Sequence, residues 1–176
     1  DPATAREPRL LMVTLALGAE LLCSSGLAAS PDDAQARLLR ALDSGEAAER
    51  FARMVARLGG PADVLHEPQL PAAPVIVDVP AASAGVLQAC DTRLLGLVVV
   101  ALGGGRERPG QAVDPRVGID RVVPLGTSVA IGDPLARVHA ATPQAAEAAV
   151  AAVRSSFVIG DADRVATPLV VQRVAA

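Results

Sequence analysis

The chain contains no lysine, tryptophan or tyrosine, and each of these absences excludes a class of structure or function. Without lysine there is no Schiff-base nucleophile, no P-loop lysine and no residue on which a lysine-held cofactor could be carried. All of the basic residues are arginines, and Phe51 and Phe157 are the only aromatic residues. The sequence of 176 residues is nevertheless 51% hydrophobic. It can therefore bury a core, which must be built from alanine, valine and leucine.

Histidine is also scarce, and His66 and His139 are the only candidates for a base that works near neutral pH. His66 lies in a proline-rich stretch, and His139 ends an apolar strand pattern. Neither has a serine or cysteine nucleophile beside it in the sequence. Because base catalysis needs an orienting partner, we interpret both histidines as structural or surface residues. The sequence thus predicts no catalytic, substrate-binding or metal-binding residue in this chain, and no cofactor.

The charge pattern limits the classes of partner. The net charge is -3, and the arginines are spread singly rather than in blocks. With no aromatic platform for base stacking, this pattern argues against a nucleic-acid partner. Cys23 and Cys90 are too few for a secreted disulfide framework, so we predict that they are reduced, buried thiols.

The segment from Leu10 to Cys23 imitates a signal peptide, because Arg6 and Arg9 precede an apolar stretch. The charged Glu20 inside the stretch argues against a signal peptide. The stretch is also shorter than the roughly 20 apolar residues that a membrane-spanning helix needs. We predict a core helix and no membrane partner. Its apolar side chains point in all directions, so neighbouring elements are needed to cover it. We expect those neighbours to lie upstream of these residues, which would leave an exposed apolar patch here.

Two further helices follow. Ser30-Pro31 supplies an N-cap and a first-turn proline, and Gly45 is expected to close that helix. The next helix carries an apolar stripe at i, i+3, i+4, i+7 spacing and ends at Gly59-Gly60. The stripe consists of Phe51, Met54, Val55 and Leu58. We predict that both helices are packing elements; a partner-binding helix is the alternative.

The pattern changes after a proline-rich stretch at residues 61–74. Strands are predicted at Val75–Val79, stopped by Pro80, and at Gly85–Cys90. Leu94–Leu102 is ambiguous, because its valine run favours a strand whereas an Asp91 or Thr92 cap and a Gly103 stop favour a helix. Further along, Thr142-Pro143 opens an alanine-rich helix. Closing strands are predicted at Phe157–Ile159 and Leu169–Val171.

The run Gly103-Gly104-Gly105-Arg106 admits two interpretations. Bare backbone N–H groups beside an arginine can cradle a phosphate. However, the run follows an element, whereas an anion site usually precedes a helix, and no GxGxxG or P-loop pattern is present. A glycine C-cap with close backbone packing is the plainer alternative.

Several of these segments, in this order, resemble one known family. The segments are GVLQACDTRLLG at 85–96, the valine run and GGGR at 98–106, DPRVG at 114–118 and GTSVAIGDPLARVH at 126–139. Together they resemble the C-terminal module of thymidine phosphorylases, within the pyrimidine-nucleoside phosphorylase family. Glu7–Leu17 and Gly45–Leu58 resemble the end of that family's α/β domain. The resemblance covers nearly the whole chain but less than the last half of such an enzyme.

The resemblance implies an α/β fragment followed by an α+β domain. Residues 1–60 would be the helical end of the large α/β domain, 61–74 a linker and 75–176 the C-terminal domain, and it favours a helix at Leu94–Leu102. Val117–Ala140 resembles half of the barrel sandwich, or hammerhead, of biotin and lipoyl carriers. Since there is no lysine to modify, this hairpin is expected to be scaffold.

The activity implied is the reversible phosphorolysis of thymidine to thymine and 2-deoxyribose 1-phosphate, with inorganic phosphate and thymidine as partners of a cytoplasmic homodimer. The family's phosphate loop and catalytic residues lie upstream of Asp1, so none is carried over to a position here. We expect the isolated chain to be inactive. A broad-specificity pyrimidine-nucleoside phosphorylase and a free-standing scaffold or interaction domain remain as alternatives.

Overall fold

The computed structural model describes residues 6–66, 71–161 and 168–174. The chain forms two compact units, one of residues 1–69 with 167–176 and the other of residues 70–166. The first unit contains three helices, α1 (Pro8–Ser24), α2 (Pro31–Asp43) and α3 (Glu46–Arg57). No helix in the described part of the chain is long and apolar enough to cross a membrane.

The helix boundaries of the first unit follow from local chemistry. Ser30 caps α2 by accepting a hydrogen bond from the backbone N–H of Asp33 at 3.2 Å, as the sequence predicted. The Glu7 carboxylate does the same for α1, accepting from the N–H groups of its first turn. Gly45 adopts a φ of +85° between α2 and α3, a conformation that suits glycine.

Helix α1 packs on α2 through small residues. Ala19 on α1 and Ala34 on α2 are buried, and a Cβ atom added at Gly18 would lie 2.8 Å from Leu38 Cδ1. Four of the large apolar residues of α1 are exposed, namely Leu10, Met12, Leu17 and Leu21, whereas Leu11, Val13, Leu15 and Leu22 are half-buried. The helix is confirmed, and the exposure of these apolar residues agrees with the expectation that its cover lies outside these residues.

Helix α3 also differs from expectation. Three members of its predicted packing stripe, Phe51, Met54 and Leu58, are exposed, and none of its residues is fully buried. Its half-buried positions are mostly alanines. Small side chains allow a closer approach of helices than Phe or Met would, so the larger stripe was wrongly predicted to be the covered one.

The second unit is an α+β domain. Its elements in chain order are β1 (Val75–Pro80), β2 (Gly85–Cys90), α4 (Thr92–Val99), β3 (Gly118–Asp120), β4 (Ser128–Val129), β5 (Pro134–Ala140), α5 (Pro143–Ser155) and β6 (Phe157–Gly160). The strands make two antiparallel three-stranded sheets with the orders β1-β5-β3 and β4-β2-β6. The strands predicted at β1, β2 and β6 are therefore confirmed.

The described core of this unit contains residues of the sheets, α4 and α5. Its largest fully buried side chains are Leu87, Leu135, Val79, Val138 and Val153. Leu94–Leu102 is helical, because Asp91 caps α4 by accepting from the N–H of Leu94 at 3.0 Å. Thr142 caps α5 in the same way. Tertiary burial thus accommodates the valine run in a helix despite its strand propensity.

The strand predicted at Leu169–Val171 is wrong, because these residues are not in a strand and Val171 is 89% exposed. β-branched residues favour a strand only where a neighbouring strand can pair with them. Within the first unit the segment is held by Arg173, whose Nε lies 2.7 Å from Glu20 Oε1.

Candidate functional site

The glycine run lies where α4 ends and widens into a π-helical turn, Val100–Gly104. Gly103 has a φ of +98° and ends the helix, and its carbonyl accepts a hydrogen bond from the N–H of Asp114 at 2.9 Å. A Cβ atom at Gly104 would lie 2.9 Å from Val99 Cγ1 and 3.3 Å from the carbonyl oxygen of Val117. Glycine is needed here for helix termination and for close backbone packing.

Arg106, the cation beside this run, is engaged within its own loop. Its Nε donates to the carbonyl of Gln111 at 3.1 Å, while the Gln111 side-chain oxygen accepts from the N–H of Glu107 at 3.0 Å. The loop follows the C-terminal end of a helix, where the helix dipole disfavours the binding of anions. This geometry supports the structural interpretation over a phosphate site.

Asp114 and Arg116 form a second arrangement on the same loop. The guanidinium donates twice, from Nε to Oδ1 at 2.9 Å and from Nη2 to Oδ2 at 2.8 Å. These bonds, with one from the Arg116 backbone N–H, lower the pKa of Asp114 to about 2. The pair is local and partly exposed, and it fixes the loop in which the N–H of Asp114 donates a hydrogen bond to the carbonyl of Gly103.

Sequence inspection missed a row of charges across the sheet β1-β5-β3. Arg137 Nε donates to Asp78 Oδ1 at 2.8 Å, and His139 Nε2 lies 3.1 Å from Asp120 Oδ1. The hydrogen bond from Arg137 lowers the pKa of Asp78. The row depends on strand register, which places Asp78 and Asp120 on either side of Arg137. The row could be predicted from the sequence only if the pairing of β1, β5 and β3 were already known.

His139 therefore has the carboxylate partner that the sequence did not show, yet the described structure places no Ser or Cys nucleophile in contact with it. The members of the row are partly exposed, and ion pairs at a protein surface contribute little to stability because solvent screens them. His66 pairs with Asp63 at 2.6 Å and its side chain is 80% exposed. Both pairs are of a kind that supports local structure.

The two cysteines are free and half-buried rather than fully buried. Burial raises the pKa of the Cys90 thiol, and a hydrogen bond with Ser156 only partly opposes that rise. A thiol of raised pKa is a poor nucleophile at neutral pH. In residues 6–66, 71–161 and 168–174 there is also no group of three or more His, Cys, Asp or Glu residues that could hold a metal ion.

Comparison with known families gives the context for this fold. Residues 86–160 match the family described as the pyrimidine nucleoside phosphorylase C-terminal domain. This region is a domain of that family. The matched region runs from β2 to β6 and includes both helices of the second unit. The structural domain also includes β1, which precedes the match and pairs with β5.

Relatives extend the similarity to almost the whole chain. The thymidine phosphorylase of Burkholderia lata is 51% identical over 172 residues, which are 97% of this chain and 39% of the relative. The thymidine phosphorylase of Mesorhizobium japonicum is 48% identical over 171 residues, and that of Rhizobium meliloti 46% over 170 residues. The chain thus corresponds to the C-terminal portion of thymidine phosphorylases and spans about 39% of their length.

Proposed function

We propose that this chain serves as the C-terminal part of an enzyme that catalyses the reversible phosphorolysis of thymidine to thymine and 2-deoxyribose 1-phosphate. The observation that carries the proposal is the 51% identity to a thymidine phosphorylase across 97% of the chain. That identity includes the first unit, which lies outside the family match at 86–160. Inorganic phosphate and thymidine are the proposed ligands of the whole enzyme, a transferase of nucleoside salvage.

Within the proposed enzyme, the role of this chain is structural. Attack of phosphate on the sugar requires cations that hold the phosphate and donors that stabilise the departing base. Among the described residues, Arg106, Arg116 and Arg137 each hydrogen-bond within their own loop or sheet. We therefore assign no catalytic or substrate-binding residue here, and the catalytic groups belong to the portion that precedes this region in the relatives.

The same proposal assigns the segments. Residues 1–60 are the helical end of the enzyme's large α/β domain, which is supported by the exposed apolar surfaces of α1 and α3. Residues 61–74 are a linker, of which 67–70 lie outside the described residues, and 75–176 are the C-terminal domain. Two small antiparallel sheets support a barrel-sandwich-like, or hammerhead, arrangement around β3, β4 and β5. The whole enzyme would be a cytoplasmic homodimer that associates through a helical domain outside these residues.

Broad specificity for pyrimidine nucleosides is the second candidate, because the matching family is described by pyrimidine nucleosides rather than thymidine alone. Base choice would then be made outside these residues. A free-standing, non-enzymatic scaffold or interaction domain is the third candidate.

A chimera tests these candidates. The portion of the Burkholderia lata enzyme that precedes the matched region is joined to this chain, and release of thymine from thymidine is measured with and without phosphate. The enzyme proposal expects phosphate-dependent release by the chimera and none by either part alone. A folded chimera without activity would favour the scaffold, whereas equal turnover of uridine and thymidine would favour the broader phosphorylase.

A further inference from the structure

The outer edge of β1 is the longest unpaired strand edge in the described part of the second unit. β1 has six residues and pairs only with β5, whereas the other edge strands, β3, β4 and β6, have three, two and four residues. Short edges and edge charges normally prevent association. β1 is longer and begins with the uncharged run Val75-Ile76-Val77, in which Ile76 is 48% and Val77 39% exposed. The one charged residue of the strand, Asp78, is paired with Arg137 of β5.

An apolar groove of about 490 Å³ lies beside this edge, between β1 and α5. Val75, Val77, Ala146 and Val150 contribute its apolar lining, and the charged side chains that line it are Glu147 and Arg154. Arg154 Nε donates to the carbonyl of Pro80 at 3.0 Å, which places the end of α5 beside the end of β1. Glu147 makes no contact of this kind within the described residues.

The helix and the strand run in the same direction. From Pro143 to Arg154 the helix rises about 17 Å, and from Val75 to Pro80 the strand extends about 17 Å. α5 and β1 therefore have similar lengths and line the groove from one end to the other. Glu147 and Arg154 are two helical turns apart on one face of α5, about 10 Å along its axis.

We propose that β1 pairs with β1 of a second copy of this chain, antiparallel and about a two-fold axis near Val77. An isologous interface requires a self-complementary surface, and this groove has one. The axis brings Val77 opposite its own copy and Val75 opposite Val79. It also reverses α5, so that Glu147 of each copy faces Arg154 of the other and the valines of each strand fill the partner's groove.

The pairing joins two three-stranded sheets into one of six strands. It supplies β1 with main-chain hydrogen bonds on its free edge, as in other cases of strand addition. The proposal uses only residues of β1 and α5. It is therefore independent of the proposed phosphorolysis and of the homodimer contact proposed for a separate helical domain.

Cysteine cross-linking tests the register. In a background with Cys23→Ser and Cys90→Ser, Val77→Cys is oxidised and analysed by non-reducing electrophoresis. Residues directly opposite in antiparallel strands have Cα atoms about 4.5–5.5 Å apart, within reach of a disulfide. A covalent dimer is expected as the main product. Val158→Cys is the matched control, because Val158 lies on the edge strand β6 of the other sheet and is 56% exposed.

Equal cross-linking of the two variants, or none with Val77→Cys, would overturn the proposal. Association through the exposed leucines of α1 would not bring position 77 of two copies together, so it gives no specific product in this assay. The cross-linking result thus remains decisive if the chain self-associates elsewhere.

Sedimentation of the full chain provides a second test that needs no cysteine. Val77→Lys and Glu147→Arg should each raise the dimer dissociation constant at least tenfold, and 1 M NaCl should reduce the effect of Glu147→Arg. Val158→Lys should leave the dimer unchanged, and circular dichroism verifies that each variant is folded.

If deletion of residues 168–176 is needed before a dimer forms, the chain's own terminal segment covers β1. A dimer lost only in Leu17→Asp would assign association to α1. Either result would refute the proposal.

Discussion

Replacement of Gly104 by alanine is expected to destabilise the second unit, although the same replacement at Gly96, eight residues earlier, should stabilise it. The added Cβ at Gly104 would lie 2.9 Å from Val99 Cγ1, 3.2 Å from the Val99 carbonyl oxygen and 3.3 Å from the Val117 carbonyl oxygen. Two of these neighbours are backbone atoms that cannot rotate away. Such overpacking costs about 1–3 kcal/mol, against a gain of about 0.5–1 kcal/mol from restricting the unfolded chain.

Gly96 provides the matched control within α4. It is exposed, and a Cβ there meets nothing within 4 Å, so the gain of about 0.5–1 kcal/mol should appear in full. Replacement of Gly103 distinguishes backbone strain from steric overpacking. Its surroundings are open but its φ is +98°, so Gly103→Ala should cost about 1–2 kcal/mol through backbone strain alone.

Thermal unfolding followed by circular dichroism measures the three variants. For a unit of this size, 1 kcal/mol corresponds to a change in Tm of about 4–8 °C. The expected order of Tm is Gly96→Ala above wild type, with Gly103→Ala and Gly104→Ala below it. A Gly104→Ala protein as stable as Gly96→Ala would refute the close-packing role of the glycine run and reopen its interpretation as a ligand loop.

Three further outcomes are expected. Arg116→Ala should raise the pKa of Asp114 from about 2 toward its ordinary value of 3.8, which NMR titration measures. The pKa of Asp114 is lower in the folded chain than in the unfolded chain. The stability that Asp114 contributes is therefore present above pH 3.8 and is lost as the pH falls toward 2. An unchanged pKa would mean that Arg116 is not its partner. Calorimetry should detect no phosphate binding to the wild-type chain or to Arg106→Ala, and micromolar binding abolished by Arg106→Ala would contradict the structural role of this loop. Leu17→Ser with Leu21→Ser should reduce self-association in light scattering without lowering the Tm, since both leucines are more than 60% exposed; unchanged association would show that the surface of α1 is not responsible.

Several boundaries in the second unit were predictable because their signals are local, although α4 stayed ambiguous until the family resemblance favoured a helix. Asp91 and Thr142 cap helices with side-chain acceptors, and Pro80 ends a strand, so each boundary depends on a few adjacent residues. Leu169–Val171 shows the limit of such signals. Its β-branched pattern satisfies strand propensity, but the segment has no strand neighbour in the described structure, and pairing is not a local property.

The charge row on the sheet shows a second limit. Asp120 contacts His139 only because β3 pairs with β5 in a register that places Gly118 opposite His139. A shift of one residue would turn the aspartate to the other face. From sequence, His139 was interpreted as a structural or surface residue, and its carboxylate partner could not be identified without that register.

The first unit shows why an apolar pattern alone does not identify the covered surface. In the described part of its three helices the only buried residues are Ala19 and Ala34, while Phe51, Met54 and several leucines are exposed. Ordering the backbone costs roughly 1–2 kcal/mol per residue, and two buried alanines contribute little against that. These helices therefore require more protein surface for stability than the described residues supply. Amide exchange should accordingly be faster in α1 than in β5 or α5, and equally slow exchange in a monomeric chain would show that the unit is stable by itself.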